Sequence, residues 1–224
     1  SMIVLGLGDR LLAVEDRIAA ACARAGRGRE EVTLLAVTKV FPADAILAAY
    51  ELGMREFGEN YVQEFEGKAA MVRGLAGARF HLIGHLQSNK SRKAGELFDV
   101  VQTVDSEKLG RRLGELGRPM DVMIEVKLSE EDSKYGCAVE DLPPLVAALR
   151  GMGNLRLKGL MTMPPWSDDA ELSRPYFRRL KMLAESHGLA ELSMGMSHGL
   201  EVAIEEGTTM VRVGTALFGS RKRI

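Results

Sequence analysis

Apolar and polar positions change period repeatedly along the chain. Residues 9–26 (DRLLAVEDRIAAACARAG) carry apolar side chains at helical spacing, with Asp9 as the expected N-cap and Gly26 near the end. Residues 32–38 (VTLLAVT) form a short, nearly unbroken apolar run, the pattern of a strand covered on both faces. The same reading predicts helices over 43–52, 60–72, 89–97, 107–116 opened by Ser106, about 143–150 opened by Pro143-Pro144, 169–187 and 199–206. Strands are predicted near 56–58, 79–83, 99–103, 120–127, 156–162, 191–195 and 210–213.

That makes eight short strands, each separated from the next by a helix, behind one extra N-terminal helix. Alternating units of this kind imply parallel strands joined by right-handed crossovers. Eight of them without a break in composition fit an α/β fold, a single closed (β/α)8 TIM barrel. The expected domain is 1–224, with tails at 1–8 and 220–224. An open doubly wound sheet would carry a GxGxxG loop after its first strand, and none is there.

Charge narrows the function. Lys plus Arg is 30 and Asp plus Glu is 31, a net charge of −1, which speaks against a general nucleic-acid binder. Hydrophobic residues make up 46%, enough for a core, and no apolar run approaches the roughly 18 residues of a membrane helix. Cys22 and Cys137 are too few for a disulfide framework and are expected as reduced thiols. No secretory signal is visible, Ser1 before Met2 looks like a cloning scar, and a cytoplasmic protein is expected.

A barrel places its chemistry at the C-terminal ends of the strands, with phosphate sites after strands seven and eight. Lys39 ends the first strand. It is either a solvated cap or an amine held at an apolar mouth, where desolvation favours the neutral, nucleophilic form. After strand seven comes SMGMSHG, with Gly195, Ser197 and Gly199, and after strand eight VRVGTALFG, with Gly214 and Thr215. Small residues and hydroxyls ahead of helices suit an anion; the alternative is that these glycines only shape tight turns. Arg212 lies on the same side of the last strand as Gly214. It either pairs a barrel carboxylate such as Glu125 or lies against a ligand atom.

AVTK at 36–39, FGENYVQE at 57–64, FHLIGHLQSNKSR at 80–92, SKYG at 133–136, LSMGMS at 192–197 and MVRVGTALFG at 210–219 occur in this order. Over roughly residues 30–220 the chain resembles the YggS/PROSC family of pyridoxal 5′-phosphate (PLP) homeostasis proteins, whose barrel is like the N-terminal domain of alanine racemase. The resemblance implies that Lys39 carries PLP as a Schiff base. It implies that Ser197, Gly214 and Thr215 hold the phosphate, with backbone from Gly195 and Met196. Arg212 would face the pyridine nitrogen and keep it unprotonated, and Asn60 and His85 would line the ring. His85 is otherwise a core imidazole, as His81 is expected to be, and His187 a helix-end residue. Phe41 stands where relatives commonly carry a second lysine, and His198-Gly199 where they show acidic residues or Asn. Lys127 stands in place of an Asn, and Lys134 matches a family lysine.

Three functions compete: a non-enzymatic PLP carrier serving apo PLP-dependent enzymes, a PLP-dependent amino-acid racemase, and a cofactor-free Schiff-base aldolase using Lys39. A two-base racemase needs a second base, supplied in alanine racemase by a tyrosine of a C-terminal domain; this sequence stops at Ile224, and Tyr61 and Tyr135 are the candidate substitutes. The carrier is the favoured expectation, as a monomer with no catalytic residue, metal, nucleic acid or membrane. Walker A, HExxH and GxSxG sequences are absent. Arg221-Lys222-Arg223 is read as a solvated terminus, and Met161, Met163, Met194 and Met196 as adaptable packing around a ring.

Overall fold

The computed structural model describes residues 5–130 and 134–220. The Ser1-Met2 start, Ser133 of the SKYG motif and the Arg221-Lys222-Arg223 tail lie outside the described residues.

Helix α1 (Leu7–Arg24) comes first, then β1 (Thr33–Val37), α2 (Ala43–Glu51), β2 (Glu56–Glu59), α3 (Val62–Val72) and β3 (Arg79–Leu82). They are followed by α4 (Ser91–Leu97), β4 (Val100–Val104), α5 (Glu107–Gly114), β5 (Met120–Lys127), β6 (Cys137–Ala138) and α6 (Leu142–Arg150). The chain continues through β7 (Leu155–Met161), α7 (Arg174–Ser186), β8 (Glu191–Met196), α8 (Leu200–Glu205), β9 (Met210–Val213) and α9 (Thr215–Phe218).

The strands pair in parallel in the order β1-β2-β3-β4-β5-β7-β8-β9, and β9 returns to β1, so the predicted eight-stranded barrel closes. Every residue of β4 and β9 is buried, as is all of β5 up to Val126, and the buried positions include the polar residues Gln102, Thr103, Asp121, Glu125 and Arg212. Helix α1 sets Val14, Ile18, Ala21 and Cys22 on one face, at spacings of three and four, and packs on α8 and α9. Both cysteines are free and buried, as expected, and burial pushes the Cys137 thiol up to about 11.

Several expectations need correction. A ninth strand, β6, pairs with the end of β5 (Val126 with Cys137, Lys127 with Ala138); two residues in a polar loop leave no periodic signal. Helix α1 starts at Leu7 behind Gly6, so Asp9 sits in its first turn instead of capping it. The helix expected over 169–187 is a 3-10 turn, Ala170–Ser173, followed by α7. The short α9 was not anticipated. Ser106 does cap α5, its hydroxyl accepting from Leu109 N at 3.1 Å, and Pro143-Pro144 opens α6.

Candidate functional site

The ends of β8, β9 and β1 are neighbours, because Met196 pairs with Arg212 and Ala36 with Val213. A register shift between Ser193 and Met196 in the β8–β9 pairing lies just ahead of Ser197, where such irregularities commonly re-aim a side chain. Ser197 Oγ accepts from Ala216 N at 3.2 Å and ties the two loops together. Gly195 has φ +97°, and a Cβ there would sit 2.5 Å from that of Ala203, so α8 can approach only a glycine. A Cβ on Gly214 would lie 3.5 Å from the Val37 carbonyl oxygen, in ordinary contact with β1. From the outside, Arg17 of α1 donates to Ser197 O at 2.7 Å while gripping the Glu201 carboxylate with two bonds.

Lys39 follows β1 at this junction. Its side chain is exposed and makes no hydrogen bond or ion pair with the described residues. Of the two readings open from the sequence, this exposure is that of a solvated side chain. What is buried is the support under it. Lys68, on the inner face of α3, donates to the carbonyls of Thr38 (3.0 Å) and Phe41 (2.8 Å), on either side of Lys39. Its Nζ stands 2.9 Å from both Glu59 oxygens but bonds only to Oε2, which also accepts from the Thr38 hydroxyl. Burial raises the Glu59 carboxyl above its usual range, against the pull of Lys68 and Thr38. Val40 has φ +61°, a left-handed conformation costly for a β-branched residue, and its N–H donates to Glu64. Backbone strain of this sort persists where surrounding contacts over-determine it.

Arg212 is buried at 2% exposure and burial lowers it to about 10, with Glu125 opposing through space. The Arg212–Glu125 ion pair weighed from the sequence does not form among the described residues. Nη1 donates instead to Ser193 Oγ (2.9 Å) and Nη2 to Thr162 O (3.1 Å). Two of five guanidinium N–H groups are thereby used. Glu125 is raised to about 7, chiefly by burial and then by Asp105.

A cavity of about 570 Å³ opens in the mouth, lined by Asn60, His85, Glu125, Lys134, Tyr135 and Trp166 among others. His85 is exposed and stacks on Tyr135, ring centroids 3.6 Å apart, so it is not a core imidazole. His81 is one, as expected, and His187 caps α7. Gly195 and Met196 line a smaller groove with Trp166 and His198. Lys39, Ser197, Arg212, Gly214 and Thr215 line neither space, and Lys127 is likewise absent from both while Lys134 is present. Of the four methionines singled out, Met161 and Met194 are core, and Met163 and Met196 are exposed. Sequence reasoning missed Lys68 and Glu59; the signal was Lys68 on the buried face of α3 between Phe65 and Val72.

The barrel with its amine-bearing mouth is of the class whose family model is described as the alanine racemase N-terminal domain, and that model matches residues 10–222. Alanine racemase from Corynebacterium glutamicum shares the fold at TM-score 0.69 and 19% identity, over 94% of this chain and 61% of that one. The pyridoxal phosphate homeostasis protein of Pseudomonas aeruginosa is 45% identical over 96% of each chain. The structure of Synechococcus elongatus PipY with PLP bound is 38% identical at TM-score 0.82, over 95% of this chain and 100% of that one. The chain belongs to the family of the pyridoxal phosphate homeostasis proteins.

Proposed function

We propose that this protein binds PLP at the end of β1 and serves PLP homeostasis as a cytoplasmic, monomeric carrier that hands the cofactor to apo-enzymes without turning over a substrate. The observation that carries the site is the junction of β1, β8 and β9, where an uncommitted amine, two glycine- and hydroxyl-bearing loops and a buried arginine come from three adjacent strand ends. Three further features fit PLP. Lys39 has no described partner, Arg212 has donors to spare, and Asn60 Oδ1 is buried without one.

Bound PLP supplies an aldehyde that condenses with a primary amine, and a ring whose electron demand depends on its nitrogen. Lys39 is the amine in this reading. Ser197, Gly214 and Thr215 take the phosphate, with backbone from Gly195 and Met196. Arg212, with N–H donors to spare, would meet the ring nitrogen with a donor and keep it unprotonated, which would weaken the ring as an electron sink. Asn60 and His85 border the ring side of the mouth. Relatives named as homeostasis proteins agree with a role other than catalysis. Tyr61 and Tyr135 are both exposed, and Tyr135 is stacked on His85. Among the described residues, no helix is long and apolar enough to cross a membrane.

Titration with PLP, followed by visible absorption, tests the reading. Wild type develops a saturable band that Lys39→Ala lacks, Ser197→Ala weakens binding, and incubation with alanine or serine isomers gives no turnover. A band unchanged in Lys39→Ala contradicts the proposed site.

A further inference from the structure

A file of polar side chains crosses the barrel interior beneath the candidate site. Arg212 Nη1 lies 2.9 Å from Ser193 Oγ, and Ser193 Oγ lies 2.6 Å from Gln102 Oε1. Gln102 Nε2 lies 3.0 Å from His81 Nδ1, and His81 Nε2 lies 2.8 Å from Glu56 Oε1. The five residues come from β9, β8, β4, β3 and β2. The first four are buried; Glu56 borders a second cavity, of about 390 Å³, that His81 also lines.

The file has one direction. A guanidinium only donates, so Ser193 Oγ accepts from Arg212 and has its own hydrogen for Gln102 Oε1. The amide nitrogen then faces His81, and since it only donates, Nδ1 carries no proton. The imidazole hydrogen is therefore on Nε2, where it meets the Glu56 carboxylate. The second amide hydrogen of Gln102 points to Met210 Sδ at 3.2 Å. Within the file each contact pairs a donor with an acceptor, and the orientation of the Gln102 amide sets the sense of the bonds on either side of it.

We propose that Ser193, Gln102, His81 and Glu56 are positioning residues for Arg212: a directed hydrogen-bond chain that sets the plane of the guanidinium at the ring-nitrogen end of the PLP site. This rests on the reading of Arg212 given above. A buried guanidinium without a carboxylate in contact is costly, and polar acceptors must hold it. Thr162 O is one such acceptor, and the chain provides the other. Packing alone would be served by apolar residues at 102 and 193, whereas four strands each place a polar group in line here. The charged groups around the His81 end are Glu56 of β2, Arg79 of β3, Asp121 of β5, Lys158 of β7 and Glu191 of β8. Protonating Nδ1 would set two donors face to face across the Gln102 contact and break the chain.

PLP-loaded protein gives the readouts: the dissociation constant, the absorption maximum and the pH midpoint of the visible band. Ser193→Ala and Gln102→Leu are expected to raise the dissociation constant about five- to tenfold, the scale of one lost hydrogen bond, and to move the midpoint. Ser193→Thr keeps the hydroxyl and is expected to restore both. His81→Leu, which lies away from the cofactor, is expected to move the midpoint in the same sense. Nitrogen-15 spectra of wild-type His81 need no variant and are expected to show the neutral form protonated on Nε2. A proton on Nδ1 overturns the proposal. So do wild-type constants and midpoints in Ser193→Ala and Gln102→Leu when Arg212→Lys moves both. If Arg212→Lys itself leaves the band and midpoint unmoved, the placement of Arg212 at the ring fails, and the chain's role fails with it.

Discussion

Lys68 and Glu59 form a buried ion pair, Nζ 2.9 Å from the carboxylate, and the same ammonium holds the carbonyls on either side of Lys39. The amine proposed to bind PLP is therefore exposed at its tip and fixed at its root. Removing one partner of such a pair leaves an uncompensated charge and costs about 3–5 kcal/mol. Lys68→Met is expected to lower the melting temperature by about 10 °C, given roughly 2–4 °C per kcal/mol at this size. It should weaken PLP binding as the turn loosens. The double variant Lys68→Met/Glu59→Gln should recover part of the stability, because the orphaned carboxylate is gone. Thermal melts of the wild type and the two variants check the order.

Val40 carries its strain next to Lys39. Asn tolerates the left-handed region that valine resists, and the N–H bond to Glu64 is unaffected by the side chain. Val40→Asn is expected to stabilise the protein by up to about 1 kcal/mol, measured by denaturant unfolding. Loss of stability instead would mean that the Val40 side chain has packing worth more than the strain.

Glu125 makes stability depend on pH. Its carboxyl is raised from 4.5 to about 7 in the folded chain, so the folded state holds a proton that the unfolded state has lost. The contribution is fully present below about 4.5 and is lost as pH rises to about 7, at roughly 3 kcal/mol in all. Glu125→Gln should flatten this part of the stability profile and be the more stable protein above pH 7. Unfolding curves at pH 5, 6, 7 and 8 give the comparison.

Arg17 allows the loop proposed to hold the phosphate to be tested apart from the rest of the site. It bonds Ser197 O and clamps Glu201 but lines neither mouth cavity. Arg17→Met is expected to raise the dissociation constant for PLP about five- to tenfold, the loss of one charge-assisted bond at the loop, and to leave pyridoxal binding unchanged. Equal weakening for both ligands would place the effect elsewhere in the barrel.

The barrel was legible because a strand such as VTLLAVT is apolar on both faces, MDVMIEVK sets Met120, Val122, Ile124 and Val126 on one face, and each is followed by a helical period. β6 was not, since its two residues pair only with the overhang of β5. Asn60 and His85 line the mouth cavity, and the Ser197 hydroxyl accepts from Ala216 N just after β9, a contact the sequence did not suggest. A solvated Lys39 was one of two readings open from the sequence; its support was hidden because Lys68 comes from α3, a different segment. Gln102 in VVQTV and Ser193 in ELSMG stand out as polar residues in buried strands, but only the closed barrel shows that they meet Arg212.

Borohydride reduction of the PLP-loaded protein, followed by peptide mass mapping, tests the central claim most directly. The account predicts one stable pyridoxyl adduct, on the peptide that contains Lys39, and none in Lys39→Ala. A principal adduct on the peptide containing Lys134 or Lys127, or an adduct that survives in Lys39→Ala, would contradict it.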